Sequence, residues 1–201
     1  MLRRRYGRPM TPRDVMRQLV PAPIRSFAWK ATWALEREQQ AIFEGWLGVS
    51  TSWRVELDEL GEDPTDRGFY EGCHWLPVRR ALRTLSQGPD GVLADLGCGK
   101  GQALLIAGRL PFDRVVGVEL AEELAREARR NMAKAGPCLL ARRTGGITAD
   151  VLEWRVPDEL TLLFLDCPFM GDVFHRTLEA VFASHDRAPR RDGEVIRVSH
   201  P

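Results

Sequence analysis

The chain has 201 residues, of which 44% are hydrophobic and 28% are charged. This length fits one domain with an extension, and the apolar content excludes a chain that is mainly disordered. No apolar run approaches the ~18 residues of a membrane span, and the basic first residues are not followed by the apolar stretch of a secretory signal. The four cysteines and four histidines have neither disulfide nor metal-ligand spacing. We therefore expect a cytoplasmic protein with free thiols, no metal site and no membrane partner.

The formal net charge of +1 conceals two oppositely charged parts. Residues 1–30 hold eight Lys and Arg side chains and one Asp, giving +7. The other 171 residues hold 21 basic and 27 acidic side chains, giving −6. A basic arm can bind nucleic acid, but no recognisable nucleic-acid module follows it, so a solvated terminus is the favoured interpretation and nucleic acid a less favoured partner.

Residues 1–88 are predicted to form a helical, Trp-rich extension. The run Thr11-Pro12-Arg13-Asp14 has the cap, proline and acid of a helix start. A longer helix is predicted from Ser26 to about Trp46, where apolar residues recur at helical spacing. The polar stretch from Ser50 to Gly72 is predicted as loop, and Leu76–Leu85 as a helix.

Residues 89–201 alternate strand-sized apolar runs with helical segments. Strands are predicted at Val92–Leu96, Val115–Glu119, about Gly146–Ala149, Leu160–Asp166 and Val195–Ser199. Helices are predicted at Gly101–Leu110, Ala121–Ala135 and Asp172–Ser184, with a short turn after Asp150. This alternation predicts an α/β domain with a Rossmann-like, doubly wound, five-stranded parallel sheet in the order 3-2-1-4-5. Because the last predicted strand ends close to Pro201, we expect this sheet to lack a further C-terminal strand pair.

A glycine-rich segment, Asp95-Leu96-Gly97-Cys98-Gly99-Lys100-Gly101, lies between the first predicted strand and helix. The three glycines let the backbone turn tightly and approach a ligand at the start of a helix. The spacing is neither the dinucleotide fingerprint, since residue 102 is Gln, nor a phosphate-binding Walker loop. Asp95 suits a ligand with an ammonium group beside a carboxylate, whereas a diphosphate would be repelled.

Acidic residues also end the next two predicted strands. Glu119 can accept two hydrogen bonds from a ribose diol, and Asp150 can accept one from an adenine amino group. The carboxyl ends of parallel strands meet at one edge of a sheet, so we expect Asp95, Glu119 and Asp150 to share one site.

These motifs resemble the class I S-adenosylmethionine-dependent methyltransferases over about residues 70–201. The resemblance implies S-adenosylmethionine as cofactor, with its methionine end at Asp95–Gly101, its ribose at Glu119 and its adenine at Asp150 and Val151. The implied cofactor-binding residues are Asp95, Gly97, Cys98, Gly99, Gly101, Glu119, Leu120, Asp150, Val151 and Asp166. More narrowly, the chain looks like small bacterial members of the family whose substrates are undefined.

Three predicted catalytic residues are Asp166, Phe169 and His74. The run Asp166–Phe169 resembles the Asp/Asn-Pro-Pro-Tyr/Phe signature of amino methyltransferases, which implies that Asp166 holds an acceptor nitrogen and that Phe169 lies against the acceptor group. The alternative is that Asp166 caps the next turn and Phe169 is a core residue. His74 and His200 are further candidate bases, and the segment Tyr70–Trp75 is expected to border the substrate.

The expected function is methyl transfer to an amine, on a small molecule or a macromolecule, by in-line displacement. Two alternatives stay open. One is an enzyme that uses S-adenosylmethionine without methyl transfer and releases methylthioadenosine. The other is a binding module without turnover. The expected partners are the cofactor and an unidentified acceptor, in a monomer or homodimer.

Overall fold

The computed structural model describes residues 35, 37–52, 54–56, 58–61, 65–67, 69–85, 88–166, 168–189 and 194–198. The chain divides into two units, Met1–Gln39 and Gln40–Pro201, and nearly all described residues belong to the second. Several predictions fall outside the described residues: the basic arm, the helix start at Thr11, the first part of the helix from Ser26, and the residues Cys167 and His200.

The second unit alternates helices and parallel strands. Its first helix, α1, has the described residues 37–47, of which 40–47 belong to this unit. The other helices are α2 (Trp75–Leu85), α3 (Gln102–Gly108), α4 (Glu122–Ala135) and α5 (Gly171–Arg187). Its strands are β1 (Val92–Leu96), β2 (Arg114–Glu119), β3 (Arg143–Thr148), β4 (Leu162–Asp166) and β5 (Glu194–Val198). None of the described helices is long and apolar enough to cross a bilayer.

All strand pairs are parallel, and the sheet runs β3-β2-β1-β4-β5. The predicted parallel α/β sheet with the order 3-2-1-4 is confirmed. In the register, Asp95 of β1 lies beside Gly117 of β2, and Glu119 of β2 lies beside Thr148 of β3. The carboxyl ends of these strands therefore come together at one edge of the sheet.

Side chains that alternate along the central strands divide the core into two layers. Leu93 packs in the cluster beneath α2 and α3, whereas its neighbours Val92 and Ala94 pack in the cluster beneath α5. Both faces of β1 are buried, as expected for a strand in the middle of a parallel sheet.

Some element bounds differ from the predictions. The edge strand β3 begins at Arg143, before the predicted Gly146, because an edge strand pairs through its backbone and needs no continuous apolar run; four of its six residues are exposed. The strand β4 begins at Leu162, after the predicted Leu160, because the amide of Leu160 donates to the carbonyl oxygen of Pro157 in a turn.

The segment 40–88, predicted as part of the N-terminal extension, falls in the same compact unit as the sheet. Leu47, Val49, Trp75 and Leu82 share a buried cluster with residues of α3 and β1. The ring of Trp75 also stacks on Phe43 at 5.0 Å between centroids. This segment therefore supplies part of the core.

Candidate functional site

The glycine loop between β1 and α3 needs three glycines. Gly97, Gly99 and Gly101 have φ angles of 77°, 51° and 82°, in the left-handed region that favours glycine. A Cβ on Gly97 would overlap Pro168, and a Cβ on Gly99 would overlap the ring of Tyr70. The loop thus combines an unusual backbone with side chains packed directly on it.

Backbone hydrogen bonds fix this loop against β2. The amides of Gly97 and Cys98 both donate to the carbonyl oxygen of Val118, at 2.8 and 3.1 Å. The amide of Gly101 donates to the carbonyl oxygen of Cys98 at 2.8 Å, which closes the turn before α3. The loop is therefore preformed.

Glu119 joins the ends of β1 and β2 through its side chain. Its Oε2 accepts the amide hydrogen of Gly99 at 2.8 Å, and its Oε1 accepts that of Ala121 at 3.0 Å. The residue is 6% exposed. Each carboxylate oxygen can accept a second hydrogen bond, so the pair can also receive a diol.

Three carboxyl groups lie close together at this edge of the sheet. Asp95 is 3% exposed. Burial raises the pKa of its carboxyl well above the usual value, and the neighbouring carboxylates of Asp166 and Glu119 raise it further. A cation entering this site would relieve both effects, because it favours the ionised carboxyl. The charge of the site thus fits a cationic ligand.

A first cavity opens beside Glu119, and its space of about 530 Å³ includes the open solvent at its mouth. At its far side Asp150 accepts two hydrogen bonds: Oδ1 from the amide of Leu152 at 2.9 Å, and Oδ2 from the guanidinium of Arg67 at 2.7 Å. Apolar side chains complete the walls, among them Val118, Leu120, Leu124, Ala149, Val151 and Phe169. An apolar slot with polar groups at its ends fits a flat heterocycle attached to a sugar.

A second cavity is also lined by Gly97, and its space of about 390 Å³ includes open solvent. Its walls include Asp95, Asp166, Cys73 and Gln102. The two cavities share four lining residues: Phe69, Tyr70, Gly97 and Pro168. They are therefore adjacent compartments of one site, here named the heterocycle end and the acidic end.

A strap of residues 65–73 contributes to both compartments. Tyr70 pairs with Val55 in an antiparallel bridge, and its hydroxyl donates to the carbonyl oxygen of Thr51 at 2.6 Å. Arg67 pairs in the same way with Phe169. The strap is thus tied both to the preceding chain and to the loop after β4.

Most of the predicted site residues come together. Asp95, Gly97, Cys98, Glu119, Leu120, Asp150, Val151, Asp166 and Phe169 line one or both compartments. Gly99 and Gly101 shape the loop behind them. His74 lines neither compartment, and Phe169 lies in the core cluster beside the heterocycle end, away from the acidic end.

Some lining residues were not predicted. Arg67 and Phe69 lie in a polar stretch whose local pattern gives no structural signal, and their positions depend on bridges to distant residues. Gln102 was noted only for breaking a glycine pattern, yet its Nε2 donates to the carbonyl oxygen of Cys73 at 2.6 Å and holds the strap against α3. Within the part of the chain that the structure describes, no three His, Cys, Asp or Glu side chains form a metal-binding group.

No protein-family model and no curated protein matches the chain. Several solved structures do match the chain. YcgJ from Bacillus subtilis has a TM-score of 0.50 at 16% identity, over 61% of this chain and 50% of YcgJ. An RNA methyltransferase from Salinibacter ruber, solved with S-adenosyl-L-homocysteine, has a TM-score of 0.47 at 24% identity, over 60% of this chain and 72% of that enzyme. A geranyl diphosphate C-methyltransferase from Streptomyces coelicolor has a TM-score of 0.47 at 21% identity, over 61% of this chain and 44% of that enzyme.

The chain therefore spans about half the length of YcgJ. Likeness at this identity is evidence for the fold alone. The likeness to YcgJ agrees with the parallel α/β sheet that the sequence predicts.

Proposed function

We propose that this chain is an S-adenosylmethionine-dependent methyltransferase that acts on an amine. The observation that carries the proposal is the division of one site into a heterocycle end and an acidic end that meet at Gly97. Adenosine matches the first compartment. A sulfonium and an ammonium group match the second, where Asp95 and Asp166 lie.

The residues present fit this cofactor one part at a time. Asp150 and the apolar walls would hold the adenine, and Glu119 would accept the ribose hydroxyls. The left-handed glycines let the backbone turn tightly at the start of α3, where a Cβ on Gly97 or Gly99 would overlap Pro168 or Tyr70. Asp95 would pair with the ammonium group.

When bound, S-adenosylmethionine supplies a methyl group attached to a sulfonium, which is a good leaving group. The protein then has to hold the acceptor nitrogen about 3 Å from the methyl carbon and in line with the bond that breaks. Asp166 is positioned to do so, because it lines the acidic end, where its carboxylate can accept a hydrogen bond from the amine and turn the nitrogen lone pair toward the methyl group. The same carboxylate can receive the proton that the amine loses.

His74 takes no part in this proposal, since it does not line the acidic end. The strap and the residues before it, which belong to the predicted segment 1–88, supply Tyr70, Gly72 and Cys73 to that compartment. We therefore propose that the acceptor is recognised largely by this part of the chain, in a monomer or a homodimer.

Calorimetry followed by product analysis tests the proposal. Purified protein should bind S-adenosylmethionine and, with a panel of amines, release S-adenosylhomocysteine. Release of methylthioadenosine would instead identify an enzyme that uses the cofactor without methyl transfer. Binding without either product across the panel would leave a binding module, and tight binding of NAD with none of S-adenosylmethionine would overturn the proposal.

A further inference from the structure

The outer face of α2 carries three arginines that pair with none of the acidic residues in the described part of the chain. Arg79, Arg80 and Arg83 form no ion pair with any acidic residue that the structure describes, whereas Arg67, Arg114, Arg129 and Arg187 all do. At 3.6 residues per turn the three side chains leave the helix within an arc of about 100°. We name this surface the arginine face.

The arginine face is open to a ligand. Arg80 and Arg83 are exposed and Arg79 is half-buried. The opposite side of the helix is anchored in the core by Trp75, Val78 and Leu82. Leu76 and Thr84 join the three arginines around a surface depression. The helix therefore presents its cations on a fixed scaffold.

The helix that carries the arginine face starts close, along the chain, to a residue that lines the acidic end. Cys73 lines the acidic end, and α2 starts two residues later at Trp75. With a rise of 1.5 Å per residue, Arg79 and Arg83 lie about 6 and 12 Å along the helix from its first residue. A ligand that reaches from the acidic end along α2 meets a row of positive charges.

We infer that the arginine face binds the phosphate backbone of a nucleic acid whose base presents its amino group to the acidic end. The inference rests on the proposed function and specifies its acceptor class. The acidic end and the arginine face favour different groups: an amine at the carboxylates, and a row of anions along the helix. A polynucleotide carries both in one molecule, since phosphates follow one another at a regular spacing and exocyclic amines project from the bases.

A binding measurement with matched variants tests this inference. Fluorescence anisotropy would follow labelled 20-nucleotide single strands of RNA and DNA at a series of salt concentrations, with the full chain. The variant R79Q/R80Q/R83Q removes the face. The control R126Q/R130Q/R155Q removes the same charge from three exposed arginines elsewhere, so it corrects for the general effect of net charge and for the basic residues 1–30.

The face variant should bind at least about 10-fold more weakly than the control, and the slope of log K against log salt should be shallower by about 2, as expected for three lost phosphate contacts on a single strand. Equal binding by the two variants would overturn the inference. So would tighter binding of the native chain to phosphatidylserine vesicles than to either nucleic acid. Thermal melts of both variants check that α2 still folds.

The two proposals fail separately. The face variant should retain the native affinity for S-adenosylmethionine, measured by calorimetry without nucleic acid. If the native chain binds nucleic acid through the arginines but releases no S-adenosylhomocysteine with it or with any amine, the proposed function is wrong and the binding surface stands. If the native chain methylates a small amine but the arginine face contributes nothing to nucleic-acid binding, the proposed function stands and the inference about the arginine face is wrong.

Discussion

Oε2 of Glu119 accepts the amide hydrogen of Gly99 at 2.8 Å, so one carboxylate at the end of β2 holds the loop that follows β1. The other oxygen holds the amide of Ala121 at the start of α4. Glu119 is thus a positioning group for two segments as well as a candidate ribose ligand. Its removal should affect both roles.

Replacing Glu119 by alanine should weaken S-adenosylmethionine binding by about 100-fold, because hydrogen bonds to charged groups contribute roughly 1.5–3 kcal/mol each. Titration calorimetry measures the affinity. Glu119→Gln keeps the size of the side chain but removes the charge and one of the two accepting oxygens, and Glu123→Gln, on the exposed surface of α4, is the control. Unchanged affinity in both Glu119 variants would show that the ribose assignment is wrong.

Asp95 should make the stability of the ligand-free protein depend on pH. Its pKa is raised in the folded state by burial and by two carboxylates, from a usual value of 3.8. The folded chain therefore retains a proton that the unfolded chain has released, and the free energy of unfolding falls as pH rises from 3.8 toward the raised pKa.

Asp95→Asn removes this titration. Urea unfolding at intervals between about pH 4 and pH 8 should show a smaller loss of stability in the variant than in the native chain. The same variant should bind S-adenosylmethionine more weakly, since it no longer offers a negative charge to the ammonium group. If the free energy of unfolding depends on pH in the same way in both proteins, the raised pKa assigned to Asp95 is wrong.

A methyl group on Gly99 should be poorly tolerated. Gly99→Ala would hold alanine at a positive φ and push its Cβ into the Tyr70 ring, costing about 1–3 kcal/mol. Gly145→Ala in β3 is the control, because a Cβ there meets nothing within 4 Å. Chemical denaturation compares the two. A Gly99 variant as stable as the Gly145 variant would exclude the close packing of the strap on the loop.

Asp166 should matter more for turnover than for cofactor binding. Asp166→Ala removes the hydrogen-bond acceptor proposed for the amine, so kcat should fall by about 100-fold or more, as for the loss of a general base. Asp166→Asn keeps an oxygen that can orient the nitrogen and should recover part of the rate. Single-turnover kinetics give the rate, and calorimetry gives the cofactor affinity. A loss confined to cofactor affinity would assign Asp166 to the cofactor alone.

The sheet and its acidic strand ends were predictable because their signal is local. Strand-sized apolar runs place Asp95 and Glu119 at strand termini, and parallel pairing brings those termini to one edge. The strap was not predictable in the same way. Tyr70 was expected to border the substrate, but Arg67 was not. Arg67 reaches the site through a single bridge to Phe169, and no periodicity in a polar loop encodes such pairing.

The placement of His74 shows that closeness in sequence does not determine which side chain faces a cavity. Proximity in sequence to the predicted border Tyr70–Trp75 made His74 a candidate base. The chain turns into α2 at this point, and Cys73 faces the acidic end while Trp75 is anchored in the core. Which of three consecutive residues faces a cavity depends on tertiary packing, which the residue types alone do not specify.

The walls shared by the two compartments come from parts of the chain that are far apart in sequence. Phe69 and Tyr70 precede the sheet, and Pro168 follows β4. A ligand that touches all of them can bind only the folded chain, so at a concentration of 100 times its Kd it adds about 2.7 kcal/mol to the free energy of unfolding. The lifetime of this protein against proteolysis would then track the local supply of that ligand.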